Sequence, residues 1–438
     1  MSLAALLSTY IQIDTQQPPG PQSWPVDETG QYVHARWIVE TWVEPLGLPH
    51  QVLDGGTLIV PVDTPDTRPP VILASHADVV AVDEADLGRW THHPLSGAIA
   101  DGYVWGRGAL DNKASTVVTF EALRELMEGG GMPSRDLIIL VTPDEEVAGE
   151  LGAKLVSERM LPELGSPTVV IDEGSLVLPD FYEPLVVAAV AVAEKTYVTV
   201  ELTVRGEGGH SSMPTRDAPT MVLSRALARV ADWETEDGLT EQMAETLRRI
   251  SEREELPTSL ALGYPEVFEP VLLSIVQATP AGNAVTRDTV AITMLDAGVK
   301  DNVVPNEARA TLNARLMPGK DVEVFLGELA AVIDDDRVEL TPAAWPAVAE
   351  PGSWETETFA ALEAVIPRHW PGAVVAPIVT PGTTDSRFFG AAGLETYRFL
   401  PFELDAGERK KIHGIDERIT LENLERAQDF WLDLLQAL

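Results

Sequence analysis

The chain has 438 residues, 45% of them hydrophobic and 23% charged, the composition of a soluble globular protein. Its 69 acidic and 31 basic residues give a formal net charge of −38, which repels phosphate backbones and anionic lipid and argues against nucleic-acid or membrane-surface partners. There is no cysteine, so disulfides are excluded and any metal site must be built from His and carboxylates.

The length exceeds one ordinary core and predicts two domains. No apolar run reaches membrane-spanning length and the N-terminus lacks a secretory pattern, so the expected location is cytoplasmic. Over the first 190 residues short apolar runs alternate with helical patterns, as in a sheet covered by helices. Val71-Ile72-Leu73-Ala74 reads as a buried strand, and His76 and Asp78 follow it. If that strand continues, both side chains share a side, and the carboxylate can fix the imidazole tautomer while the other ring nitrogen faces a metal.

The glycine-flanked turn Gly106-Arg107-Gly108-Ala109-Leu110-Asp111 then delivers an acid ahead of a helix marked by Val117, Phe120, Leu123 and Leu126. An Asp at such a place serves either as a helix cap or as a ligand whose two oxygens bridge two cations. Leu137–Val141 is the next buried strand, followed by Asp144-Glu145-Glu146; with Glu146 on a metal, Glu145 is free to take a proton from water. The strand at 168–171 ends at Asp172-Glu173. Either acidic segment, taken singly, also fits a solvated loop. Three separate segments thus place His, Glu and Asp just beyond buried strands, where open α/β sheets bind their ligands.

The pattern changes near Lys195. Residues 197–205 alternate strictly, with Val198, Val200, Leu202 and Val204 on one face, as in a half-buried antiparallel strand. Gly208-Gly209-His210-Ser211-Ser212 reads as a loop or as a glycine-rich turn offering a hydrogen-bond donor. A helix with Met221, Leu223, Leu227 and Val230 follows, then a polar, Glu-rich stretch at 235–256, alternating strands near 289–296 and 308–316, and a helix and strand to about 342. The buried-strand pattern returns at Val374-Val375-Ala376, and a helix capped by Thr420 closes the chain. The predicted fold is therefore α/β: a catalytic domain of residues 1–195 and 343–438, with a mostly parallel sheet between helices, interrupted by a smaller α+β domain at 196–342. Eight histidines occur in all; His92-His93 reads as loop packing, and His413, ahead of the final helix, reads as structural in isolation.

Taken in order, His76-Ala77-Asp78, the Gly106–Lys113 turn, Asp144-Glu145-Glu146, Asp172, the Gly-His-Ser-Ser turn and Ile412-His413-Gly414-Ile415-Asp416-Glu417-Arg418 resemble the di-zinc metallopeptidase family of acetylornithine deacetylase, succinyl-diaminopimelate desuccinylase, aminoacylase and carboxypeptidase S. The likeness spans residues 5 to 438 and is strongest to the carboxypeptidase S and Gly-X carboxypeptidase branch. It implies a hydrolase that cuts an amide or peptide bond next to a free carboxylate, acting on small peptides or N-acyl amino acids. It also implies two Zn²⁺ ions, with Co²⁺ or Mn²⁺ as alternatives. Asp111 would bridge them, His76 and Asp172 would complete one site, and Glu146 and His413 the other.

The resemblance makes Glu145 the general base and acid, Asp78 the residue orienting His76, and His210 a donor to the oxyanion. Arg315 and Asn302 resemble residues that hold the substrate carboxylate, and Thr384 lies in a segment resembling a substrate-facing loop. The inserted domain resembles a lid or dimerisation domain, through which a homodimer would form, and the Asp111–Asn112 peptide is expected to be cis. Two rivals carry the same fold: a related di-zinc aminopeptidase, and a catalytically inactive binding protein. The His210-bearing insertion speaks against the first, and the full set of His76, Asp111, Glu145, Glu146, Asp172 and His413 against the second.

Overall fold

The continuously apolar runs form the neighbouring strands Val71–His76, Leu137–Thr142 and Val169–Asp172, buried on both faces. In this computed structural model residues 1–17, 30–343 and 348–438 are described. They divide into a larger unit, Met1–Val192 with Gly352–Ile378 and Thr384–Leu438, and a smaller one, Ala193–Pro351 with Val379–Thr383.

The larger unit is built on a nine-stranded sheet. Its centre is parallel: Leu137–Thr142, Val71–His76, Val169–Asp172 and Glu395–Arg398 pair in that order. Leu58–Val62 pairs antiparallel with Leu137–Thr142, and Leu185–Glu194 antiparallel with Glu395–Arg398. The sheet is thus mixed where the sequence predicts a mostly parallel one. Edge strands that arrive by hairpins, such as Val177–Tyr182 with Leu185–Glu194, need no crossover helix and so run antiparallel.

Strand alternation splits the core in two. Val71, Leu73, Leu137, Ile139, Val169 and Ile171 pack with Phe120 and Leu123 of the helix Lys113–Glu128, Phe359 of Glu357–His369 and Leu434 of Leu421–Leu435. Ile72, Ile138, Leu140 and Val170 turn the other way, onto Val156 of Ala153–Arg159 and Phe389 of Ser386–Ala391. Because the central strands are parallel, their carboxyl ends open on one edge, and there His76, Thr142 and Asp172 end their strands.

The smaller unit is a four-stranded antiparallel sheet, Thr289–Ala297, Glu307–Leu316, Thr196–Arg205 and Val338–Pro342 in spatial order. The face bearing Val198, Val200, Leu202 and Val204 packs on the helices Pro219–Ala231 and Val322–Ile333. Helices also occupy Glu241–Ser251, Thr258–Gly263, Pro265–Val276 and Pro280–Ala284. The sequence pattern does not reveal the later ones, because Pro270 lies inside Pro265–Val276 and Val267, Val271 and Ile275 there are exposed. Residues 379–383, placed by sequence with the larger domain, group with this unit; Thr380 O accepts from the Lys195 amide and the Thr383 hydroxyl donates to Lys195 O.

Candidate metal centre and active site

The strand Val71–His76 ends on His76, whose Nδ1 lies 2.9 Å from the Asp78 carbonyl and 3.3 Å from Asp78 Oδ1. This leaves Nε2 pointing at Asp111 Oδ1, 2.9 Å away. Asp78, wholly buried, does more than orient that ring. Its two oxygens accept from the amides of Glu145 and Glu146 at 3.2 and 3.1 Å, so one carboxylate fixes both His76 and the acidic turn. Gln17, for which a lone polar residue gave no sequence signal, donates to Asp78 Oδ2 at 2.9 Å and to the Pro143 carbonyl at 3.0 Å.

Asp111 arrives on a turn that needs glycine. Gly106 and Gly108 have φ of +154° and +86°, and a Cβ on Gly106 would meet Ile11 Cγ2 at 2.6 Å and Pro94 O at 2.8 Å. The Asp111–Asn112 peptide is cis. Lys113 opens the following helix and, wholly buried, anchors it by donating to Tyr10 O and Ile13 O at 3.1 and 2.7 Å. His413, held at φ +59°, places Nε2 3.1 Å from Asp111 Oδ2 and 3.1 Å from Glu146 Oε1. The two oxygens of Asp111 therefore each face an imidazole from distant parts of the chain.

Asp172 and Glu173 divide differently from the expectation. Asp172 Oδ2 accepts from the amide and hydroxyl of Ser386 at 3.0 and 2.7 Å. The neighbouring Glu173 brings Oε1 to 3.4 Å from His76 Nε2. Strand parity accounts for this: Asp172 shares the face of Val170, which packs on Phe389 in the helix that Ser386 begins, whereas Glu173 lies just past the strand. Strand parity is the sequence signal that sets Glu173 apart from the strand's last acid.

His76, Asp111 and Glu146 each offer a ligand atom within 4.8 Å of the others, and so do His76, Glu145 and Glu173. Burial pushes the Glu145 and Glu173 carboxyls well above the usual carboxylate range and raises Glu146. Burial opposes a charged His76, but Glu173, Asp111 and Asp78 hold its pKa well above the ordinary imidazole value. Hydrogen bonds donated to Asp111 and Glu146 push His413 up to about 10. Against its own burial, Asp111 is held low by His413 and His76. Buried oxygen donors in such excess over positive charge, interleaved with imidazole nitrogens, fit divalent cations.

Thr384 is buried in the larger unit, donating to Ser386 Oγ at 3.0 Å and accepting from Arg398 Nε at 3.3 Å. His210, exposed in the smaller unit, sits on the two-residue strand Gly209–His210 paired with Val303–Val304, beside Asn302. Its Nδ1 accepts from the Ser212 amide at 3.1 Å, so a neutral ring carries its proton on Nε2, as a donor. Arg315, also in the smaller unit, lies 4.6 Å over the Tyr197 ring and donates to the Thr383 hydroxyl at 2.9 Å. His92 packs against Trp105 at 5.1 Å.

The model of peptidase family M20/M25/M40 matches residues 72–437. The Dictyostelium discoideum protein named "Probable carboxypeptidase S-like 2" is 33% identical over 84% of this chain and 71% of its own length. The Xenopus tropicalis N-fatty-acyl-amino acid synthase/hydrolase PM20D1 is 33% identical over 88% of this chain and 76% of its own. Among solved structures, the M20 family metallo-carboxypeptidase Sso-CP2 from Sulfolobus solfataricus superposes with a TM-score of 0.73, covering 100% of this chain and 99% of that one at 17% identity. The Bacillus subtilis YXEP protein, titled a dinuclear metal binding peptidase from the M20 family, does so at 0.59 and 13% identity, covering 99% and 97%.

Proposed function

The chain belongs to peptidase family M20/M25/M40, a family of metal-dependent amide hydrolases, and on that footing we propose that it cleaves an amide or peptide bond next to a free carboxylate with two divalent cations. Asp111 carries this reading, with His76 Nε2 on one oxygen at 2.9 Å and His413 Nε2 on the other at 3.1 Å. In it Asp111 would be shared by the two ions, with Glu146 and His413 holding one and His76 with Glu173 the other; Glu173 would take the place the sequence assigned to Asp172. Zn²⁺ is the ion proposed, with Co²⁺ and Mn²⁺ served by the same donors. When bound, such cations acidify water and polarise a carbonyl.

The protein's own groups do the rest. Glu145 accepts the proton of the attacking water and returns it to the leaving nitrogen. Its amide is tied to Asp78, so the carboxylate that orients His76 also sets where this base sits. The smaller unit, read as the lid or dimerisation domain, supplies His210 Nε2–H to the developing oxyanion. Arg315, whose planar fork matches a carboxylate, grips the free acid of the substrate, with Asn302 beside it in this role. The names of the relatives support peptides and N-acyl amino acids, including long-chain ones, as the substrate class. Thr384 acts from behind, by holding Ser386.

A homodimer through the smaller unit fits its edge strand Thr289–Ala297, where Met294 and Leu295 are exposed and which, among the described residues, pairs in its sheet on one side only. Among the described residues no helix is long and apolar enough to cross a membrane; the cytoplasmic location stays within the proposal. The test is to incubate zinc-loaded protein with a pool of dipeptides and N-acyl amino acids and follow depletion by mass spectrometry. Consumption of one class by the wild type, and none by a Glu145→Gln protein that keeps its zinc, is the expected result. Equal consumption by both would refute the role of Glu145.

A further inference from the structure

We propose that the buried ion pair Arg107–Glu417 is a positioning device that holds Asp111 and His413 at their mutual distance from the backbone side. The inference rests on the reading above, in which both residues hold divalent cations. The strands Tyr103–Trp105 and Arg418–Thr420 pair antiparallel with Trp105 opposite Arg418. The turn that leaves the first strand towards Asp111 therefore runs beside the turn that brings His413 to the second. Main-chain pairing continues one step further, with the Gly106 amide donating to Glu417 O at 2.9 Å.

Beyond that step two side chains take over. Glu417, with no exposed surface, accepts from the amides of Leu110 and Asp111 on Oε1 at 2.9 and 3.2 Å. Its Oε2 accepts from Arg107 Nη1 at 2.6 Å. Arg107, 4% exposed and 5.4 Å over the Trp90 ring, extends Nη2 to the His413 carbonyl at 3.0 Å. A closed circuit results: Asp111 carboxylate, His413 ring, His413 carbonyl, Arg107, Glu417, Asp111 amide.

His413 sits at φ +59°, a conformation a non-glycine residue keeps only where its surroundings enforce it. The bond from Arg107 to its carbonyl is such an enforcement. A buried ion pair is a poor way to gain stability, since apolar residues of similar volume do as well. Apolar residues cannot accept from the Leu110 and Asp111 amides or donate to the His413 carbonyl, however, and it is this fixed fork geometry that the site uses. Residues that support ligands in this way commonly change metal affinity or activity by about 10–100-fold when altered.

Arg107→Lys keeps a cation beside Glu417 but lacks the second arm to His413, and Arg107→Met/Glu417→Met removes the pair without stranding a charge. Metal-free protein is titrated with Co²⁺ alone, by calorimetry and by the visible absorption of the bound ion. kcat and KM are measured on whichever peptide or N-acyl amino acid the wild type cleaves. The expected result is that wild type takes up two Co²⁺, while both variants bind one of them about 10–100-fold more weakly with an altered spectrum. Alongside this, kcat should fall and KM change by less than about threefold. Variants that fold and match wild type in affinity and spectrum overturn the proposal while leaving the hydrolase reading standing. A wild type that takes up no Co²⁺ overturns both.

Discussion

Asp172 and Glu173 are neighbours whose proposed tasks differ, and two substitutions separate them. Asp172 Oδ2 accepts from the Ser386 amide and hydroxyl at 3.0 and 2.7 Å. Asp172→Asn keeps an acceptor for both but removes the charge. Bonds to a charged group contribute about 1.5–3 kcal/mol against about 0.5–1.5 for neutral ones, so two bonds each weakened by ~1 kcal/mol lower folding stability by ~2 kcal/mol. Zinc binding should be little changed.

In Glu173→Gln the lost group is a carboxylate whose burial already disfavours its charge, so the metal-free protein should lose less than ~1 kcal/mol. The same substitution replaces the proposed carboxylate ligand, whose Oε1 lies 3.4 Å from His76 Nε2, by a neutral amide. Its effect on affinity should exceed the roughly 10–100-fold typical of residues that merely support a ligand. Urea unfolding of the metal-free proteins and competition for Zn²⁺ against a coloured chelator read the two quantities separately. The expected pattern is crossed: one variant loses stability and keeps zinc, the other keeps stability and loses an ion. An Asp172→Asn protein that loses an ion while Glu173→Gln keeps both would refute the assignment.

Two further outcomes follow from single side chains. His34 is wholly buried, and burial together with Lys113 lowers its pKa to about 3. Below about pH 6.5 the unfolded chain takes up a proton that the folded chain refuses, so stability present above that pH is lost as pH falls towards 3. At ~1.4 kcal/mol per pH unit, His34→Met should gain on the wild type by about 2–3 kcal/mol between pH 7 and 4.5; parallel stability curves for the two proteins would contradict this. For Arg315, replacement by Lys keeps the charge but loses the fork, and should raise KM about tenfold or more with a smaller effect on kcat; an unchanged KM in steady-state assays would remove Arg315 from carboxylate binding.

Much of this was legible because buried parallel strands write themselves plainly. The apolar runs ending at His76 and before Glu145 and Asp172 could hardly be anything else, and a sheet of that kind presents its strand ends on one edge. Asp78 was legible from its spacing to His76, although its grip on the Glu145 and Glu146 amides was not, because those bonds join segments 67 and 68 residues apart. The Asp172–Glu173 assignment required following strand parity one residue further than the apolar run. The helices between 258 and 284 were hidden by an internal proline and by apolar side chains facing outward, which blur the amphipathic period. Glu417 and Arg107 stood in recognisable segments, but nothing in a linear sequence shows that one carboxylate caps the backbone of a turn some 300 residues away.

The central claim is that paired cations on the Asp111 cluster and the Glu145 carboxylate together make the hydrolase. The direct measurement is to strip the protein with a chelator, return Zn²⁺ stepwise, and follow cleavage of a substrate found in the depletion screen in wild type and Glu145→Gln. Activity should be absent from the stripped wild type and rise to a plateau near two ions per chain. The variant should bind the same two ions and remain slower by about 10²–10⁴-fold. Full turnover in the stripped protein, or a fully active Glu145→Gln protein, would contradict the account.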